Sequence, residues 1–299
     1  MSADWNKKVG LFFNTDKAEA RSIASRLLLW GYQNGIEFLL LPHEAGALGV
    51  PETAETEWFA SVSFAVAIGG DGTFLRAART TVGHSIPLYG INVGRLGFLV
   101  TGKPEDAEQD ILKILAGKGT ILNRSPLIGE VYRNGHKLHE FSALNEIVVA
   151  KGLLARPIEL EVKIHGEPLS VFLADGIIVS TPTGSTAYAL SAGGPIVPPH
   201  VDCMLLVPIC AHTLYARPFV LGGRDIISIY PRSIDADLML TLDGQAGCSI
   251  QHNDCITFSL NPSNVVPTLS LQGQSYYGLL QEKLSWGMCG SRTEEKNYD

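Results

Sequence analysis

The sequence predicts two units, an N-terminal α/β domain built on an open, mostly parallel sheet and an all-β C-terminal domain. Three observations carry the prediction. Strand and helix patterns alternate through the first third of the chain, which implies parallel pairing. From about Leu122, short β-branched and apolar runs recur with few helical stretches. Asn134-Gly135 and His165-Gly166 fall between such runs as hairpin turns. The length, 299 residues, suits about two domains of ~100–200 residues each.

The elements follow in order. Val9–Asn14 is a short apolar run. Asp16 stands at an N-cap position, and helical spacing then covers Ala18–Trp30 and stops before Gly31. Glu37–Leu41 and Ser63–Ile68 read as strands, and the second runs straight into Gly69-Gly70-Asp71-Gly72. Thr73–Thr81 is a helix, Pro87–Asn92 a strand, and Glu105–Ala116 a helix closed by Gly117 and Gly119. The β-rich part holds strand patterns at Leu127–Arg133, Glu146–Ala150, Ile158–His165, Gly176–Ser180, Ile226–Tyr230, Leu238–Leu242 and Cys255–Leu260. Its one clear helix pattern is Ser185–Ala192, and a last helix is expected at Tyr277–Leu284. The expected domains are residues 1–122, with about 261–290 packing back on them, and residues 123–260. A polar tail, 291–299, is expected to be loose.

Composition excludes several classes. Hydrophobic residues make up 45% and charged residues 18%, which rules out bulk disorder. The net charge of −7 lacks the basic footprint of a nucleic-acid or anionic-membrane binder. No apolar run approaches the ~18–20 residues of a membrane span. The N-terminus has no apolar core like that of a signal peptide. Cys203, Cys210, Cys248, Cys255 and Cys289 form no CxxC pair, so free thiols in a reducing, cytoplasmic setting are expected. The eight histidines show no zinc-ligand spacing, and no GxSxG marks a serine hydrolase.

Four segments could do chemistry. Gly69-Gly70-Asp71-Gly72-Thr73 joins a buried strand to a helix, where glycines admit a phosphate or ribose to the backbone. It is neither a Walker A loop nor GxGxxG. An anion is ill suited to holding phosphate alone. Asp71 therefore reads as a proton acceptor from a hydroxyl, as a group facing a metal, or as the helix N-cap. Arg76, one turn into the helix, is in reach of a phosphate or is a surface residue. The run Asp175–Gly194 carries Ser180, Thr181, Thr183, Ser185 and Thr186, a dense supply of neutral hydrogen-bonding groups for ribose or phosphate oxygens. Tyr188 could stack on a base. Asn145-Glu146 opens an apolar strand and could fix a ribose or an adenine edge. Leu242-Asp243-Gly244-Gln245 reads as a turn.

Taken together, GGDGTFLRAAR (69–79), NVGRLGFL (92–99), LNEIVVAKG (144–152), DGIIVSTPTGSTAYALSAGGPIVPP (175–199), HTLYARPFV (212–220) and LDGQ resemble the bacterial ATP–NAD kinase family. GGDGT is shared with lipid kinases; the STPTGSTAYALSAGG block is the specific part. The resemblance implies transfer of the γ-phosphoryl of ATP, with a divalent metal such as Mg²⁺, to the 2′-hydroxyl of the adenosine ribose of NAD. It implies a site between the two domains, and homodimers or homotetramers. Carried over by motif, Asp71 would be the general base, with Gly72 beside it and Gly69, Gly70 and Thr73 forming the phosphate loop. Asn145 and Glu146 would hold adenosine-side groups. Asp175 would face the nicotinamide end, with Thr186, Ala187, Tyr188, Ala189, Leu190 and Ser191 along the substrate. Gln245 would complete the pocket, and Arg156 would be a further substrate contact. Some members carry Arg two residues before the Asp of the DG motif; here that position is Leu173, so another cation, Arg76 or Arg156, is expected to serve. The rival readings are a lipid or sugar kinase and a non-catalytic NAD sensor.

Overall fold

The computed structural model describes residues 5–152, 156–233, 238–271 and 275–284. The expected tail 291–299, and Cys289, lie outside the described residues. In chain order the elements are β1 (Lys8–Phe13), α1 (Ala18–Asn34), β2 (Glu37–Leu39), α2 (Pro42–Leu48), α3 (Glu55–Ser61), β3 (Phe64–Gly69), α4 (Asp71–Thr81), β4 (Leu88–Asn92) and α5 (Ala107–Leu115). Then come β5 (Thr120–Arg124), β6 (Leu127–Arg133), β7 (His136–Ala143), β8 (Glu146–Lys151), β9 (Ile158–Ile164), β10 (Glu167–Ala174), β11 (Gly176–Ser180) and α6 (Tyr188–Ser191). The chain continues through β12 (Cys203–Ile209), β13 (Phe219–Gly222), β14 (Ile227–Pro231), β15 (Leu238–Leu242), β16 (Gln245–Ile250), β17 (Cys255–Leu260), β18 (Val266–Ser270) and α7 (Tyr276–Leu284).

The first sheet has the order β2-β1-β3-β4-β18-β5. β1, β2, β3 and β4 pair in parallel, and β18 joins β4 in parallel and β5 antiparallel. β3 shows why the sequence run is apolar throughout. Phe64, Val66 and Ile68 enter the core under α1 and α5, whereas Ala65 and Ala67 enter a second core with Phe74, Ala77 and Ala78 of α4. A strand covered on both faces needs no polar alternation. Each fully buried Ile or Phe there contributes ~1.5–3 kcal/mol of transfer free energy. The expected 122/123 boundary falls inside β5, which belongs to this sheet.

The other two sheets are antiparallel, β10-β9-β14-β17-β6-β7 and β13-β12-β11-β8-β15-β16. They share one apolar core that draws Leu127, Val131, Leu160 and Phe258 from one and Ile147, Val149, Ile177 and Leu206 from the other. The second of them is also covered on its outer face, where Val148, Ile178, Leu205 and Val207 meet Ala189 and Val197. The two hairpin turns form as expected, with φ of 51° and 78° at Asn134-Gly135 and 51° and 83° at His165-Gly166.

Several expectations are corrected. Asp16 is not the N-cap of α1; Lys17 holds that position with no side-chain cap. The helix runs past Gly31 to Asn34 because Phe38 Cε2 lies 2.6 Å from where a Gly31 Cβ would stand, so packing outweighs the ~1 kcal/mol cost of a helical glycine. The helix expected at Ser185–Ala192 is instead a 3₁₀ turn, Thr183–Thr186, followed by the single turn α6. Helices α2 and α3 and strands β7, β10, β13, β16 and β18 carried no clear sequence signal.

Candidate active site

β3 ends on Gly69, Gly70 is the N-cap of α4, and Asp71 is its first residue. Asp71 does not cap its own helix. Its Oδ2 accepts the Phe98 N–H at 2.8 Å and its Oδ1 the Leu99 N–H at 3.0 Å. The loop after β4 thus aims the carboxylate. It can do so only because residue 97 is glycine: a Cβ there would collide with Asp71 Oδ1 and lie 2.7 Å from Asp71 Cγ. Gly70 and Gly72 face open space, so their missing side chains leave room for a ligand over the helix N-terminus. Thr73 is buried.

Across from this turn, Asn145 and Glu146 open β8. Leu144, just before them, packs in the same core as Phe74 and Leu75 of α4. Asn145 and Glu146 are 9% and 4% exposed. Glu146 Oε2 is buried without a hydrogen-bond partner among the described residues. Burial pushes its carboxyl up to about 7, Asp243 adds to the rise, and a hydrogen bond from the Tyr188 backbone N–H opposes it. An orphaned buried carboxyl is a costly arrangement that a ligand hydroxyl would relieve.

The turn after β15 does more than reverse the chain. Asp243 has φ 47° and a fully buried carboxylate. It accepts the N–H groups of Leu144 at 3.2 Å, Asn145 at 2.8 Å and Glu146 at 3.3 Å. Arg79 of α4 reaches it at 3.3 Å and donates to Gln245 Oε1 at 2.8 Å. Sequence reasoning missed Arg79, Asp243 and Gly97. All three lie in segments that carried the resemblance, but their partners are distant in the chain.

The hydroxyl-rich loop is mostly self-contained, which corrects its reading as a supply of free donors. Ser180 Oγ donates to Asn145 O at 3.1 Å and Thr181 Oγ1 to Leu144 O at 2.6 Å. Ser185 Oγ donates to Pro182 O, and Thr186 Oγ1 to Thr183 O. These bonds clamp the loop onto the start of β8. Gly184 permits the contact, since its Cβ would lie 2.5 Å from the Asn145 carbonyl carbon.

Other expected residues fall as follows. Tyr188 is 45% exposed at the start of α6. Ala187 and Leu190 are half-buried, Ser191 is exposed, and Ala189 is core. Asp175 pairs with Lys151 Nζ at 2.6 Å. Arg156 is exposed two residues before β9. Gln245 is exposed and holds Arg79. Arg76 turns away from the glycine turn. It donates to the buried Glu44 of α2 at 2.5 Å and to Phe13 O at 2.8 Å, serving as counter-ion to a carboxylate that could not otherwise stay buried. Among the described residues no cluster of three or more His, Cys, Asp or Glu could hold a metal, and no helix is long and apolar enough to cross a membrane. Cys203, Cys210, Cys248 and Cys255 are free thiols.

Comparison with known proteins adds the following. Residues 9–119 match the family model of the ATP-NAD kinase N-terminal domain and residues 144–267 that of the C-terminal domain. The chain is 41% identical to the NAD kinase of Moorella thermoacetica, over 97% of this chain and 93% of that protein. It is 37% identical to the NAD kinase of Geobacter sulfurreducens, over 94% and 99%. Among solved structures, yeast NADH kinase complexed with NADH superposes with a TM-score of 0.90 at 22% identity, covering 98% of this chain and 91% of that one. An NAD kinase from Archaeoglobus fulgidus in complex with ATP gives 0.72 at 24%, covering 93% and 98%. At these identities the two structures speak to the fold.

Proposed function

The chain belongs to the NAD kinase family, and we propose that it transfers the γ-phosphoryl of ATP to the 2′-hydroxyl of the adenosine ribose of NAD, giving NADP and ADP. The observation that carries this reading is two carboxyls set differently across one boundary, one aimed by backbone N–H groups and one buried with a free oxygen. Asp71 is held by two backbone N–H groups at a helix N-terminus. Glu146 is buried, with Oε2 unpartnered among the described residues. As the ribose oxygen bonds to phosphorus and the bond to the ADP oxygen breaks, the hydroxyl proton passes to Asp71. Each carboxylate oxygen keeps a free lone pair for it. Glu146 and Asn145 fix the ribose, and Tyr188 lies against a ring.

A divalent ion, Mg²⁺, is part of the proposal. The donor set fits an ion that arrives on the nucleotide, because Mg²⁺ is usually held by one or two carboxylates plus substrate phosphates rather than by a protein cage. Asp71 is the carboxylate at hand, and the ion would neutralise charge on the transferring group. We also propose a cytoplasmic homo-oligomer, supported by the exposed Leu214, Tyr215 and Val220. Incubation with ATP, Mg²⁺ and NAD, read by an NADP-specific dehydrogenase, tests the reaction. Product is expected; a folded chain that forms none defeats it.

A further inference from the structure

A cavity of about 1060 Å³ lies beside Asp71, between the 94–104 loop, β5, β18 and α7. Phe98 and Leu99, whose N–H groups hold Asp71, line it, as do Asn92, Arg124 and Tyr276. Arg124 is the last residue of β5. Its Nε donates to Thr268 Oγ1 at 3.2 Å and its Nη1 to Thr183 Oγ1 at 2.9 Å. Neither partner is charged, and among the described residues no carboxylate pairs with it. A guanidinium has five N–H donors, so several remain to be used. Four other basic groups are already spent: Arg76 on Glu44, Arg79 on Asp243 and Gln245, Lys17 Nζ on Val93 O at 3.0 Å, and Lys113 of the cavity wall on Asp110 at 2.8 Å.

We propose that Arg124 is the cation that receives the donor's phosphates, and that the cavity beside Asp71 is where the donor nucleotide lies. This rests on the phosphoryl-transfer reading above and names a residue that reading left open. The assignment falls on Arg124 in place of the expected Arg76 or Arg156. Burial pushes its guanidinium down to about 10, while Tyr276 and Asp71 hold it up; it stays charged at neutral pH. A charged group kept half-buried without an acidic partner is costly, and a phosphate ligand removes that cost through a bidentate fork. Besides Lys103 and Lys113, the cavity carries five carboxylates, Glu19, Glu105, Asp106, Asp110 and Glu282. These disfavour a bare polyanion and select a donor that brings its own divalent ion.

The test uses Arg124→Met and Arg124→Lys, with NAD and ATP varied separately. Binding of ATP, ADP and AMP is also measured calorimetrically without NAD. KM for ATP is expected to rise about 10–100-fold in Arg124→Met, the loss of charge-assisted bonds to phosphate. KM for NAD stays within about twofold, and the preference for ATP over AMP flattens. Because Arg124 also holds Thr183, an equal loss of NAD affinity would mark it as a strut and overturn the proposal. Unchanged ATP parameters would overturn it too. If the Met variant does not fold, the wild-type chain decides. The Arg124 Nε–H resonance should shift with a non-hydrolysable ATP analogue and not with adenosine, and a resonance that ignores both defeats the assignment. A wild-type chain that neither binds ATP nor forms NADP overturns the kinase reading first, and this one with it.

Discussion

Arg79 on α4 and Asp243 in the β15–β16 turn meet at 3.3 Å, although 164 residues separate them. The contact joins the helix that carries Asp71 to the carboxylate that organises the backbone of Leu144, Asn145 and Glu146. Asp71 and the Asn145-Glu146 pair are therefore set relative to each other by one charged link.

Arg79→Met should cut that link. Asp243 would keep its three N–H donors but lose its counter-ion. A buried pair broken on one side costs ~3–5 kcal/mol, and Arg79 is 26% exposed, so ~1–3 kcal/mol is expected. Chemical denaturation measures it, and KM for NAD should rise in parallel. A stability loss with unchanged KM would show that the link does not set the site.

Asp71→Asn should lower kcat by roughly 10²–10⁴-fold while NAD binding persists, as expected for a general base. Single-turnover kinetics and calorimetry on the same preparation separate the two. Lost affinity with preserved turnover would reverse the assignment.

Gly97→Ala should displace the Asp71 carboxylate, since the added methyl carbon meets it and Val100 Cγ2 at 2.7 Å. Activity should fall further than stability. Comparing kcat with Tm checks this, and a fully active Gly97→Ala would mean that the loop does not aim the base.

Glu146 predicts a pH signature. Its carboxyl titrates near 7 in the fold and near 4.5 unfolded. Between those values the folded chain binds the extra proton, so stability falls as pH rises. The penalty is fully present above pH 7, on the order of 3 kcal/mol at 1.36 kcal/mol per unit. Glu146→Gln should therefore gain stability over wild type as pH goes from 5 to 8. Denaturation midpoints across that range decide, and a constant difference would remove the shift.

The βαβ core was legible because the residue pattern changes period where the backbone does. β3 and α4 join at four small or turn-forming residues, and the chemistry sits on the join. α2 and α3 were not legible: each has seven residues, Gly46 interrupts one, and Trp58 is the only buried side chain of the other. The Glu44 that claims Arg76 lies in α2, so Arg76 looked available for phosphate. Ser180 and Thr181 of the 180–186 loop looked free because the carbonyls they bind, Asn145 and Leu144, are about 35 residues upstream. Asp243 read as a turn residue for the same reason. The types of the site residues show in the sequence; which of them are already engaged depends on the tertiary fold.

β18 lies between β4 and β5, and β5 has no other neighbour in its sheet. The ribosome must therefore deliver residue 270 before the first domain can close, though β5 emerges at residue 124. At ~5–20 residues per second, that interval lasts about 7–30 s. Throughout it β4 is an open edge, and Arg124 has neither Thr268 nor a finished cavity wall. The two domains come off the ribosome nested, the β-rich one inside the other. It can therefore fold first, and the half that carries Asp71 is completed last.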